Sequence, residues 1–229
     1  MIKSGIDQDA IAKMFTEGGV KQGEALRKAV SEATLKALQG RELTMANIRK
    51  VLKTVTQAAS TGAAQNAASP VDVEALLGQA FAGMDGALLQ AVEANRKALQ
   101  QFVDQGAGLQ DKPLKSALAN IEKMEDLFFD TVGKATQGAG GALQGPWDHV
   151  LGAMKVKGTE TGAQATQTVD ALMAQTKAAL RDSRTAGAKV AQAMLDGYAA
   201  LVSGVLIGMS EGLQPSVSTA PAESKAKKK

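Results

Sequence analysis

The residue best suited to acid–base chemistry is His149, the one histidine of the chain, which directly follows Asp148. A carboxylate beside an imidazole can orient it as a general base. The neighbouring sequence, PWDHVLG, supplies no nucleophile for such a base to activate. We therefore expect His149 to be a surface residue in the first turn of a short helix, which Trp147 anchors against its neighbours.

A glycine-rich stretch around Gly138, Gly140 and Gly141 could in principle cradle a phosphate. A P-loop needs a Gly-Lys-Ser/Thr sequence, and a dinucleotide fingerprint needs a third glycine after a strand. The stretch has no Gly-Lys-Ser/Thr, Leu143 occupies the third position, and no strand pattern precedes it. We interpret it as a flexible connection between helices.

Three carboxylates, Glu122, Glu125 and Asp126, lie close together on one predicted helix. Clustered carboxylates can carry acid–base or metal chemistry. A helical di-metal site would also need Glu-x-x-His helices, which the sequence lacks, and Lys123 lies among the acids. We expect a solvated face. The sequence thus predicts no catalytic residue, no cofactor site and no metal ligand, and therefore no enzyme.

Charge and cysteine content narrow the class of protein further. The 229 residues include no cysteine, which excludes a disulfide framework and a thiolate nucleophile. Asp7 and Asp9 interrupt the region where a signal peptide would need an apolar run, so we expect a cytoplasmic protein. The net charge of +3 equals that of the tail after residue 213, which we expect to be disordered. Weak, nonspecific contacts with anions are expected from its lysines, Lys225, Lys227, Lys228 and Lys229.

Apolar residues recur at helical spacing along almost the whole chain, and no segment shows the alternation of a strand. The clearest helix start is at Ser69 and Pro70, because serine can cap a helix and proline suits the first helical position. The pattern predicts a helix from there to Gln105. We expect an all-α protein, an elongated bundle or coiled-coil-like arrangement of long, antiparallel amphipathic helices that forms homo-oligomers.

Composition divides the predicted bundle into six segments, with glycine, proline and small polar residues at the boundaries. They are N-terminal helices at 1–57, a small-residue linker at 58–69, a two-helix segment at 70–137, a glycine-rich break at 138–146, a short helix plus a long C-terminal helix at 147–213, and the lysine-rich tail at 214–229.

The most distinctive apolar segment is YAALVSGVLIGMSEGL, from Tyr198 to Leu213. Its uncharged core, 199–209, is too short to span a bilayer alone. Gly204, Gly208 and Gly212 repeat every four residues, a spacing that lets a second helix approach closely. The segment is either the buried end of a bundle helix or a surface for self-association or for an apolar partner.

The run VDALMAQTKAALRDSRTAGAKVAQAMLDGYAALVSGVL and the tail STAPAESKAKKK resemble the phasins in composition. Phasins are cytoplasmic bacterial proteins that coat polyhydroxyalkanoate storage granules and have no catalytic residues. The resemblance implies a non-enzymatic, granule-associated coat or scaffold protein. The residues expected to bind an apolar surface or to mediate self-association are Leu172, Leu180, Val190, Met194, Leu201, Gly204, Val205, Leu206, Gly208 and Gly212.

Other functions stay open from the sequence. The segment 199–209 could associate with a membrane or enter it after the bundle opens, or the helices could assemble into a structural scaffold. Nucleic-acid binding through the lysine tail is a further hypothesis, although no aromatic residues are interleaved with the lysines to stack on bases.

Overall fold

The computed structural model describes residues 9–10, 12–13, 23–39, 43–65, 70–104, 112–138, 141–182 and 198–211. These ranges contain eight helices of more than ten residues and no strand, which confirms the all-α class. In chain order the helices are α1 (Gly23–Gln39), α2 (Met45–Gln65), α3 (Pro70–Asp104), α4 (Lys112–Glu122), α5 (Met124–Thr136), α6 (Gly141–Lys157), α7 (Glu160–Asp182) and α8 (Tyr198–Glu211). The predicted tail at 214–229 lies outside the described residues.

Helix α3 is the centre of the fold. Its 35 residues match the helix predicted from the sequence and extend about 50 Å. It packs against α1, α2, α4, α6, α7 and α8, and Phe81 stacks on Phe128 of α5 with 4.5 Å between ring centroids. A helix with neighbours on several sides needs apolar residues around most of its surface, and in α3 exposed polar positions such as Lys97 and Gln101 are few. Its buried alanines let those neighbours approach closely, namely Ala80, Ala87, Ala91, Ala94 and Ala98.

Helix α7 runs parallel to α3, whereas the sequence predicts antiparallel neighbours. The backbone N–H of Thr161 donates to Asp85, and farther towards the C-terminal end of both helices the Gln175 amide donates to Asp104. Both pairs therefore advance in the same direction. Parallel packing is possible because α4, α5 and α6 lie between α3 and α7 in the chain and bring it back to the first end of α3.

Gly83 sets the close approach of α1 to α3. A Cβ placed at Gly83 would lie 2.6 Å from the carbonyl oxygen of Arg27 and 2.9 Å from the Cβ of Val30. Real Cβ atoms do not approach neighbouring atoms so closely, so any side chain here would push the two helices apart. Gly78 lies on the same helix, and its Cβ would meet nothing within 4 Å.

This difference predicts opposite effects for the same substitution. Gly83→Ala should lower the free energy of unfolding by about 1–3 kcal/mol, because it overpacks the α1–α3 contact. Gly78→Ala should raise it by about 0.5–1 kcal/mol, because alanine has the higher helix propensity and no neighbour obstructs it. Urea denaturation of both variants checks this. If the two variants are equally stable, α1 does not contact α3 at Gly83.

The predicted small-residue linker at 58–69 is wrong for 58–65, which form the last turns of α2. Ala59, Ser60 and Ala63 are buried there. The small residues suggested a linker, because they give no apolar pattern. Alanine is nevertheless the best helix former, and small side chains let α2 pack tightly, so the stretch is helical. The hydroxyls of Thr56 and Ser60 donate to the carbonyl groups four residues earlier.

The predicted glycine-rich break at 138–146 is also shorter than expected. Helix α6 begins at Gly141 and contains Pro146. A proline inside a helix removes one backbone hydrogen bond. Leu143, Trp147 and Val150 are buried at helical spacing on either side of it, so packing outweighs that loss.

Candidate functional site

Helix α8 is an apolar helix on the outside of the bundle. From Tyr198 to Ser210 it has no charged residue. It packs mainly on α3 and makes further contacts with α1. The side chains of Val202 and Leu206 face these helices and are completely buried. A helix with one exposed side usually has a polar stripe there, whereas the exposed positions described in α8 are Gly204 and Gly208.

Tyr198 connects the start of α8 to α3. Its hydroxyl donates a hydrogen bond to the Asn95 Oδ1 atom at 2.5 Å, and the Asn95 amide donates to the carbonyl oxygen of Ala91 at 2.7 Å. The Tyr198 ring lies 5.9 Å from that of Phe102. Burial raises the pKa of the Tyr198 hydroxyl, so it remains a neutral donor. The contact thus combines an apolar ring with a partly buried, uncharged hydrogen bond.

The exposed positions described in α8 are two glycines. Gly204 and Gly208 are exposed, and a Cβ placed on either would meet nothing within 4 Å. Leu201 and Ile207, on either side of this face, are half-buried. The glycines are therefore not at a contact between helices within the described chain, and their predicted role in a contact between copies stays a prediction.

The predicted surface residues fall into three groups. Leu172 and Leu206 are buried in the bundle, with 1% and 0% of their surface exposed. Leu201 and Val205 are half-buried against the core. Gly204 and Gly208 are exposed. Leu180 belongs to α7, but its side chain is not described, and Val190, Met194 and Gly212 lie outside the described residues.

A buried carboxylate, which no sequence motif indicates, holds the start of α7. The Asp85 carboxylate accepts hydrogen bonds from the backbone N–H groups of Glu160, at 2.9 Å, and Thr161, at 3.1 Å. The Thr161 hydroxyl donates in return to the Asp85 carbonyl oxygen at 2.9 Å. Burial raises the pKa of Asp85, and these hydrogen bonds oppose that change only in part.

Glu125 completes the same contact from α5. Its carboxylate accepts from the Thr159 backbone N–H at 3.1 Å and from the Thr159 hydroxyl at 2.6 Å. The Thr159 hydroxyl oxygen also accepts from the Gly162 N–H at 2.9 Å, which is the usual cap of a helix start. The expected solvated face is therefore wrong for Glu125, although Glu122 and Asp126 are exposed. The Asp85 and Glu125 carboxylates thus cap the start of α7. Their oxygen atoms accept hydrogen bonds from Thr159, Glu160 and Thr161.

The other sequence candidates are exposed or separated. His149 is exposed, and its Nδ1 atom lies 3.2 Å from a Glu74 carboxylate oxygen. Among the described residues no group of three or more histidine and acidic side chains is placed to hold a metal ion. None of the described helices is both long and apolar enough to cross a bilayer.

Comparison with known sequences places the chain in a family. A family model described as a family of unknown function, DUF6781, matches residues 1–215. The chain belongs to this family. No curated protein and no solved structure matches it. The DUF6781 match includes α8 and all the other helices described above, and it ends before the lysines of the tail.

Proposed function

We propose that this DUF6781 protein is a non-enzymatic, cytoplasmic coat protein that binds an apolar surface through α8, as the phasin resemblance implies. The observation that supports this most strongly is the composition of α8. Residues 198–210 are uncharged, and this helix combines a face buried against α3 with exposed and half-buried positions such as Gly204, Gly208 and Ile207. An apolar helix adsorbs to a hydrophobic boundary in proportion to the apolar area that it buries there.

Ile207 allows a direct test of this surface. It is half-buried at the side of α8, so an aspartate there changes the exterior of the helix more than the core. We expect the wild-type protein to co-sediment with polyhydroxybutyrate particles at both low and high salt, because apolar adsorption is not screened by ions. Ile207→Asp should reduce the bound fraction several-fold, because a charged side chain would have to lose its water.

Val156 supplies the matched control. This valine of α6 is 92% exposed, so Val156→Asp adds the same charge to an apolar surface position away from α8 and should leave binding unchanged. A wild-type protein that stays in the supernatant at both salt concentrations contradicts the coat proposal. Equal binding by Ile207→Asp and wild type would show that the exposed side of the docked α8 is not the binding surface.

The membrane alternative is separated by a liposome assay. The coat proposal expects no release of a dye enclosed in liposomes. Release that is lost in the Leu201→Asp, Leu206→Asp double variant would instead identify membrane insertion, with the segment 199–209 as the entering part.

A further inference from the structure

We propose that α8 leaves α3 when the protein meets an apolar surface, and that the face of α8 now buried against α3 becomes the adsorbing face. This inference rests on the proposed function. It adds which side chains bind the surface and which contact must open first.

The two faces of α8 differ in the apolar area that they offer. The outer face presents Gly204 and Gly208, which have no side chains. The inner face presents Val202 and Leu206, both completely buried in the docked helix. Because adsorption strengthens with the apolar area that is buried, the inner face is the stronger binding surface. It becomes available only when α8 undocks.

The attachment of α8 is suited to opening on an apolar surface and to staying closed in water. In water the buried side chains of α8 hold it on α3, because exposing them is unfavourable. An apolar surface offers those side chains an equivalent environment, so the loss is recovered there. The Tyr198–Asn95 hydrogen bond lies at the end of this contact and acts as its polar latch. Undocking also removes the contact of the Tyr198 ring with Phe102 on α3.

The contact that holds α7 lies away from α8. Asp85 binds Glu160 and Thr161 at the start of α7, whereas α8 follows the other end of that helix, Asp182, in the chain. Opening of the α3–α8 contact therefore breaks none of the hydrogen bonds that hold the start of α7.

The absence of cysteine from the chain makes a reversible lock possible. Asn95→Cys and Tyr198→Cys place two thiols on facing sides of the α3–α8 contact. A bis-methanethiosulfonate cross-linker then joins them, and a reductant releases them again. The same protein is therefore compared in locked and unlocked forms. We expect the locked form to bind polyhydroxybutyrate particles at least tenfold less than the reduced form. The reduced form should bind at least as well as wild type, because the latch is gone.

The outcomes separate this inference from the proposed function. If locked and reduced forms bind equally well, α8 need not open, so the inference is overturned while the coat proposal stands. A reduced form that does not bind where wild type does also overturns it, because the latch residues would then be needed for binding. If neither wild type nor the reduced form binds, both proposals fail.

A second measurement keeps the latch residues intact. Lys97 on α3 and Gly208 on α8 are both exposed, so cysteines at these positions can carry nitroxide labels without entering the core. The distance between labels, measured by double electron–electron resonance, should increase when the protein binds the particles. An unchanged distance in the bound state would contradict the opening of α8.

Discussion

Trp147→Ala should lower the free energy of unfolding by about 3–5 kcal/mol, the range for truncating a large buried aromatic side chain. Trp147 is completely buried and is the largest side chain in the core. Its indole Nε1–H donates to the Ser60 hydroxyl oxygen at 3.0 Å. The substitution therefore leaves a cavity between α2 and α6 and removes their buried hydrogen bond. Urea denaturation followed by far-UV circular dichroism measures the loss.

Ser60→Ala separates the two parts of this effect. It keeps the indole in place but leaves its N–H without the hydroxyl partner, which should lower stability by about 1–3 kcal/mol. Trp147 fluorescence then reports on unfolding directly. A loss below about 1 kcal/mol in Trp147→Ala would mean that the indole does not fill the space between the two helices.

Asp85→Ala should lower the free energy of unfolding by about 2–3 kcal/mol, because it leaves two N–H groups in the first turn of α7 without an acceptor. One of them belongs to Thr161, which is completely buried, so water cannot replace the carboxylate. The Thr159 cap remains and limits the loss. Asp126→Ala, which removes an exposed carboxylate from α5, is the matched control and should change stability by less than about 0.5 kcal/mol.

The pH dependence tests whether burial dominates at Asp85. Burial raises its pKa in the folded protein, a shift to which the neighbouring Glu160 carboxylate adds, while Arg27 faces Glu160 at 3.7 Å. Between the ordinary pKa of aspartate and the raised value, the folded state keeps a proton that the unfolded state has lost. The stability contributed by Asp85 is therefore greatest at acidic pH and falls as the pH rises through the folded pKa.

Asp85→Asn isolates the pH-dependent contribution of Asp85 to stability, because asparagine does not titrate and the other groups are unchanged. The stability difference between wild type and Asp85→Asn should be larger at acidic pH than at neutral pH. A difference that grows towards neutral pH would mean that the hydrogen bonds from α7 outweigh burial and lower the pKa instead.

Local sequence patterns predicted the features that depend on residues close together in the chain, such as the start and the length of a helix. Ser69 and Pro70 marked the start of α3, and apolar spacing predicted its length, because both signals act within a few turns. The same reasoning placed Trp147 as an anchor. It took the alanine-rich end of α2 for a linker, because alanine gives no periodic contrast even when it is buried.

Local sequence patterns could not predict the contacts between residues that are far apart in the chain. Asp85 looks like one more polar residue on a long helix, and only the fold shows that it faces Thr161. A partial signal was present in Gly158-Thr159, since a threonine before a helical stretch is a good cap and Gly158 adopts a positive φ of 77°. The sequence predicted the apolar character of α8. It could not tell whether the apolar residues pack inside the bundle or bind an external surface, because both have the same composition.

The start of α7 also has a consequence for the order of assembly. Its first-turn groups are paired with carboxylates 34 and 76 residues earlier in the chain. During synthesis both carboxylates leave the ribosome before the residues of α7 do. Contacts of such long sequence separation form late, because closing the intervening loops opposes them until a scaffold is in place. Synthesis from the N-terminus therefore supplies the acceptor carboxylates of α3 and α5 before the N–H groups of α7 that bind them.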